Sequence, residues 1–138
     1  MANSKPKVKR RFHTANVAII GLGRFGSALA TELVQSGHQV LGIDSDERIV
    51  QHLAPILTHV VSADTTDEDT LKELGLADMD SAVVAIGADL ESSILTASLL
   101  LQLGIKQVWA KANSTAHGKI LRHLGVHHVI FPEFEMGR

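Results

Sequence analysis

The stretch N-V-A-I-I-G-L-G-R-F-G, residues 16–26, decides how this chain folds. Val17 to Ile20 is a run of four apolar residues, rich in β-branched types, as a strand buried on both faces of a parallel sheet requires. It breaks into three glycines at G-x-G-x-x-G spacing. Gly21 permits a tight turn, Gly23 lets backbone approach a ligand without a Cβ in the way, and Gly26 lets the next helix lie close on the strand. The first N–H groups of that helix have no intrahelical partner and sit at the positive end of its dipole. A phosphate fits on the backbone of Leu22, Gly23 and Arg24.

A glycine fingerprint alone is weak evidence, because glycines also collect in ordinary turns; a strand before it, a helix after it and a distal acid give it weight. All three are present. Phe25, Leu29 and Leu33 recur at helical spacing, Gly37 supplies a stop, and Gln39 to Ile43 read as a second strand ending in Asp44. That carboxylate lies 23 residues after Gly21, where a Rossmann unit places the acid that bonds a ribose hydroxyl. The reading is a nucleotide site, against the blander alternative of a glycine turn that only packs.

Composition narrows the remaining classes. At 138 residues the chain has room for one domain with a substantial core. It has no cysteine, which excludes a disulfide scaffold, a thiol nucleophile and a cysteine metal site. No apolar run approaches the roughly 18 residues of a membrane span. Net charge is −2, but residues 1–15 carry Lys5, Lys7, Lys9, Arg10 and Arg11 with no acid, leaving 8 basic against 15 acidic residues on the rest. With no aromatic interleaving and an acidic body, residues 1–15 read as a solvated, disordered basic arm, and nucleic acid is not expected as a partner. With no membrane span and no signal-peptide cleavage site, the chain reads as soluble and intracellular.

From Asn16 onward strand and helix alternate. Ser45 is the expected cap of a helix with Ile49, Val50 and Leu53 inward and Pro55 closing it. His59 to Ala63 reads as a third strand, and Asp64, Thr65 and Thr66 as the start of a helix ending at Gly75. Asp67, Glu68 and Asp69 imitate a metal cluster, but at a helix start they compensate the dipole. Ser81 to Ile86 is a fourth strand, after which Gly87 marks a second place for close backbone approach. Leu90 to Leu103 is a helix apolar nearly all round, which calls for cover on a second side by a partner copy. Gln107 to Ala110, ending at Lys111, a helix capped by Ser114 and stopped by Gly125, and His128 to Phe131 complete six strands. The fold class is α/β: a Rossmann-like, doubly wound parallel sheet in the order 3-2-1-4-5-6, spanning residues 16–132, with its crevice between strands 1 and 4.

Several chemistries drop out. No lysine follows the G-x-x-x-x-G of residues 21–26, so this is not a P-loop. The chain has no tyrosine for a Tyr-x-x-x-Lys dehydrogenase, and no segment remains for a substrate domain, so an NAD-dependent dehydrogenase is an alternative only as a fragment of one. His123, His127 and His128 are separated by Gly125, which breaks helical metal-ligand spacing. Glu133, just past the sixth strand, can meet a nucleotide-associated cation or be a solvated loop acid. Binding without catalysis leads, so no enzyme is expected.

G-L-G-R-F-G, Asp44, A-D-T-T after strand 3, A-I-G after strand 4, V-W-A-K-A at strand 5 and F-P-E-x-x-M-G after strand 6 together resemble the N-terminal nucleotide-binding lobe of RCK domains, also called KTN or TrkA-N domains. Within that family the pattern is most similar to the gating-ring subunits of Ktr-type potassium uptake systems. The resemblance implies a cytoplasmic homo-oligomeric ring, peripheral to the inner membrane, that responds to ATP, ADP or NAD(H) and controls a potassium channel or transporter subunit. Position by position it implies that Gly21, Gly23 and Gly26 cradle the phosphate, that Arg24 contacts a γ-phosphate, and that Asp44 holds the ribose; Leu22, Phe25 and Ser45 are counted with them as cofactor-binding residues. It further implies Asp64 and Thr65 at the adenine, Ile86 and Gly87 along the crevice, Lys111 on the phosphate side, and Glu133 as ligand of an interface cation. ATP or ADP is favoured, NAD(H) is admitted, and NADP(H) is disfavoured by Asp44. Residues 133–138 match the start of a linker to a second lobe, so the expectation is either a piece of a longer chain or a single-lobed form.

Overall fold

The computed structural model describes residues 15–132. Its centre is a six-stranded, wholly parallel sheet in the order β3-β2-β1-β4-β5-β6. The strands are β1 (Asn16–Ile20), β2 (Gln39–Asp44), β3 (His59–Ser62), β4 (Ser81–Val84), β5 (Gln107–Lys111) and β6 (His128–Ile130). Between them run α1 (Arg24–Gln35), α2 (Glu47–Leu53), α3 (Glu68–Glu73) with a 3-10 turn at Leu76–Asp78, α4 (Leu90–Gln102) and α5 (Thr115–Leu124).

The period of two along β1 shows why a continuous apolar run was needed. Val17 and Ile19 join one core with Ala30 of α1, Leu53 of α2 and Leu57, while Ala18 and Ile20 join a second with Leu71, Ala97, Leu100 and Leu121. Right-handed crossovers explain this division. Moving outward from β1 to β3 puts α1 and α2 on one face; crossing back to β4 and moving on to β6 puts α3, α4 and α5 on the other. The chain therefore reverses direction at the β1–β4 boundary, and the carboxyl ends of the strands open a crevice there.

Two helix starts differ from expectation. The cap of α2 is Asp46, whose carboxylate accepts from the Arg48 N–H, and not Ser45. The cap of α3 is Asp67, accepting from the Asp69 N–H, so Asp64, Thr65 and Thr66 lie in a loop before the helix. In both places an earlier aspartate holds a turn of its own: Asp44 Oδ1 accepts from the Asp46 N–H at 2.8 Å and Asp64 Oδ1 from the Thr66 N–H at 2.9 Å. Such a turn keeps the intervening residue out of the helix. Strands 3, 4 and 6 also stop earlier than the apolar runs do, at Ser62, Val84 and Ile130.

The apolar helix α4 turns its small residues inward. Ser93, Thr96, Ala97 and Leu100 are buried, Leu99, Leu101 and Leu103 are partly buried against the core, and Leu90 and Leu95 remain 43% and 45% exposed. At the other margin, Ala15 packs on the core and its carbonyl accepts from the Gln39 N–H, extending the sheet by one residue into the segment read as an arm. Residues 1–14, Glu133 and the linker read at 133–138 lie outside the described residues.

Candidate nucleotide site

The crevice opens at the carboxyl ends of β1, β2 and β4, and its floor is the glycine turn. Gly21 has φ +96°, and a Cβ there would sit 2.7 Å from the Ala85 carbonyl carbon. Its N–H donates to the Ile43 carbonyl at 2.8 Å, which ties the turn to β2. A Cβ on Gly26 would lie 1.8 Å from the Gly21 carbonyl oxygen, so α1 approaches β1 as closely as it does only because residue 26 has no side chain. At Gly23 the same construction meets nothing within 4 Å. The first and third glycines thus serve the fold, whereas the second leaves open space on the crevice side.

Gly23 is also the N-cap of α1, and no side chain caps that helix or places an acid in its first turn. The other four α-helices are capped by Asp46, Asp67, Asp89 and Ser114. Of the helix starts at the crevice, that of α1 is left without a side-chain acceptor, an arrangement that suits an external anion.

Asp44 occupies the end of β2 beside this turn. Its Oδ2 accepts from the Leu22 N–H at 2.7 Å and its Oδ1 from the Asp46 N–H, so the carboxylate braces two loops of the crevice while keeping lone pairs for a ribose hydroxyl. The expected phosphate contact at the Leu22 amide is therefore replaced by Asp44. The Leu22 side chain is buried in the core, against the backbone of Gly42.

Around the crevice wall the structure brings together Gly21, Gly23, Asp44 and Ser45 with Asp64, Thr65, Ile86 and Gly87. It adds Asp89 and Ser92, which the sequence reading placed in no site. Asp89 caps α4 by accepting from the Ser92 N–H and hydroxyl, and those two bonds, the hydroxyl foremost, hold its carboxyl below the usual range. The Thr66 hydroxyl and amide do the same for Asp64. Both stay ionised at neutral pH, and they line the crevice together with Asp44.

The remaining predicted residues among those described do not line this crevice. Gly26 is buried beneath the turn. Phe25 packs its ring on the α1 side of the sheet, with the Lys111 ammonium 6.0 Å above it. Arg24 is exposed at the start of α1. The three histidines read against a metal each have another partner: His123 Nδ1 meets the Lys119 carbonyl, His127 Nδ1 accepts from the Val108 N–H, and His128 stacks on Trp109 and bonds the Gln107 side chain.

One buried histidine was missed altogether. His117 is fully buried at the first turn of α5; its Nδ1 accepts from the Asn113 N–H at 3.0 Å, so Nε2 carries the proton and donates to Ser93 Oγ at 3.0 Å. Burial, with the Lys111 charge second, pushes its pKa down and keeps the ring neutral.

Comparison with known proteins agrees with this fold. The TrkA-N domain family profile matches residues 17–132. The chain is similar to Ktr system potassium uptake protein A of Vibrio alginolyticus, with 43% identity over 120 residues covering 87% of this chain and 54% of that protein. The chain spans about half the length of the curated relatives it matches. Its fold is similar to the GsuK channel bound to NAD, with TM-score 0.75 and 19% identity over 91% of this chain and 25% of that one. The GsuK structure bound to ADP gives TM-score 0.74 and 19% identity, over 91% of this chain and 36% of that one.

Proposed function

The chain belongs to the TrkA-N domain family, and from that premise we propose that it is a nucleotide-sensing regulatory domain of a potassium uptake system, without catalytic activity of its own. The observation that carries the reading is the joint between Asp44 and the uncapped start of α1: an acceptor for ribose hydroxyls beside a free row of backbone donors for phosphate. Open space at Gly23 fits a ligand that approaches the backbone there. ATP and ADP are the favoured ligands and NAD(H) is admitted. Asp44, the carboxylate at the ribose end, disfavours the extra 2′-phosphate of NADP(H).

The proposed partner is a membrane potassium channel or transporter subunit, reached from the cytoplasmic side; among the described residues no helix is long and apolar enough to cross a membrane itself. Self-association belongs to the same proposal. Leu90 and Leu95 on α4 and Ile120 and Leu124 on the neighbouring α5 are exposed, and a second copy would cover them. Glu133 stays as the proposed cation ligand at such an interface.

Titration of the purified chain with ADP, ATP, NADH and NADPH by calorimetry tests the site: micromolar binding of the first two and the weakest binding by NADPH are expected. Absence of adenine nucleotide binding would overturn the reading, and steady ATP hydrolysis or hydride transfer would overturn its non-catalytic part. Sedimentation at tens of micromolar should show a dimer or larger species, and a clean monomer would overturn self-association.

A further inference from the structure

We propose that Asn113 and His117 are positioning residues for the nucleotide crevice, acting as a clamp that fixes the Gly87 loop against the ligand's phosphate side. This rests on the nucleotide reading above.

Among the described residues four polar side chains are classed as buried: Thr65, Ser93, Thr96 and His117. All four belong to two links that start on α4 and end in the crevice wall. Ser93 and Thr96 stand three residues apart, on the same inward face of that helix. From Thr96 the hydroxyl donates to the Thr65 carbonyl at 3.3 Å and accepts from the Thr65 hydroxyl at 3.0 Å, which ties down the lip that follows β3. From Ser93 the link runs through His117 to Asn113, whose side-chain amide donates to the Gly87 carbonyl in the opposite lip. Apolar residues would fill these positions at no desolvation cost, so paired polar groups here are explained by the orientation they impose on the loops.

The clamp acts on one end of the ligand. β4 pairs with β1 on the side away from β2, so Gly87 lies beyond the glycine turn as seen from Asp44. A nucleoside held at Asp44 reaches Gly87 only through its phosphates. At Gly87 itself a Cβ would meet nothing within 4 Å, which leaves that backbone open to a ligand once its carbonyl is held by Asn113. Asn113 orients the loop directly; His117 acts through Asn113, because it accepts the Asn113 N–H and contacts no crevice residue in these links.

Calorimetric titration with ADP and with adenosine separates this role from general stability. Asn113 is half-buried on a loop, so Asn113→Ala and Asn113→Asp should fold, with a urea midpoint lowered by no more than the loss of one hydrogen bond explains. Both should bind ADP about tenfold more weakly, as loss of one anchoring hydrogen bond implies, while adenosine affinity stays within about twofold. His117→Gln should show a smaller loss in the same direction. The double variant His117→Gln with Asn113→Ala should lose no more than Asn113→Ala alone, since His117 has nothing further to position. Equal losses for ADP and adenosine, wild-type ADP affinity in Asn113→Ala, or additive losses in the double variant would each overturn the clamp. Failure of the wild type to bind ADP would instead remove the nucleotide reading, and the clamp with it.

Discussion

Asp44 Oδ2 accepts the Leu22 N–H at 2.7 Å, so the acid at the end of β2 holds the glycine turn of β1 in place before any ribose reaches it. A residue that serves only a ligand can be replaced without cost to the ligand-free fold. Asp44 cannot, because its second oxygen also holds the Asp46 N–H. Asp44→Asn, which sets an amide NH2 against one of these donors, should destabilise the nucleotide-free chain by about 1–3 kcal/mol. Urea unfolding without nucleotide checks this; an unchanged midpoint would show that the carboxylate is spare in the free state.

The first and third glycines should separate cleanly from the second. Gly26→Ala puts a methyl group 1.8 Å from the Gly21 carbonyl oxygen, so α1 must move off the sheet, and a loss of roughly 3 kcal/mol or more is expected. Gly23→Ala places its methyl in open space and should change stability by less than about 0.5 kcal/mol. Because that space is where phosphate would sit, Gly23→Ala should nonetheless weaken ADP binding at least tenfold. Unfolding midpoints and ADP calorimetry on the two variants read both effects; normal ADP affinity in Gly23→Ala would move the phosphate elsewhere.

The fold was legible because its signals are local and repeated. An apolar run ending in Gly21 and the helical spacing of Phe25, Leu29 and Leu33 each depend on residues a few positions apart, and the strand order follows from connection handedness. Helix starts were less legible. D-S-D at residues 44–46 and D-T-T-D at residues 64–67 offer more than one capping acid, and which one caps depends on whether the first closes a turn of its own. The glycine turn and Asp44 were picked out from spacing and Gly87 from its place after a strand, and the structure brings them to one crevice. Asp89 and Ser92 were not, since a cap looks the same in sequence whether or not it faces a crevice. His117 was invisible for a different reason: its partner Ser93 is 24 residues away on another helix, and no spacing rule connects them.

That histidine gives the stability a pH dependence of definite sign. His117 is neutral in the folded chain because burial, and then Lys111, lower its pKa below the ordinary value near 6.5. As pH falls through about 6.5 the unfolded chain takes up the proton first, so its contribution to stability is complete above that pH and is lost below it. The loss is at most about 1.4 kcal/mol per pH unit until the folded-state pKa is reached. Urea midpoints between pH 5 and pH 8 should therefore fall toward acid in the wild type and fall less in His117→Gln. Parallel curves for the two proteins would place the acid sensitivity on other groups.

The proposed choice of nucleotide turns on opposite charges at the two ends of the site. Asp44, Asp64 and Asp89 make the crevice wall acidic, so added phosphate charge is unfavourable unless a cation meets it. Among the described residues no lysine or arginine lines that wall. Arg24 stands exposed at the start of α1, where its guanidinium can swing to a terminal phosphate of its own ligand or of one held by a neighbouring copy. AMP, with a single phosphate, is expected not to reach it. A charge-assisted hydrogen bond contributes about 1.5–3 kcal/mol, so Arg24→Ala should weaken ATP roughly tenfold or more and leave AMP nearly unchanged, with ADP between them. Arg24→Lys, which keeps charge but not the planar fork, should recover only part of the loss. Calorimetry with the three nucleotides decides the matter: equal losses for ATP and AMP would assign Arg24 to the fold or to the ribose end, and NADPH affinity rivalling that of ATP would show that the acidic wall does not face the ribose.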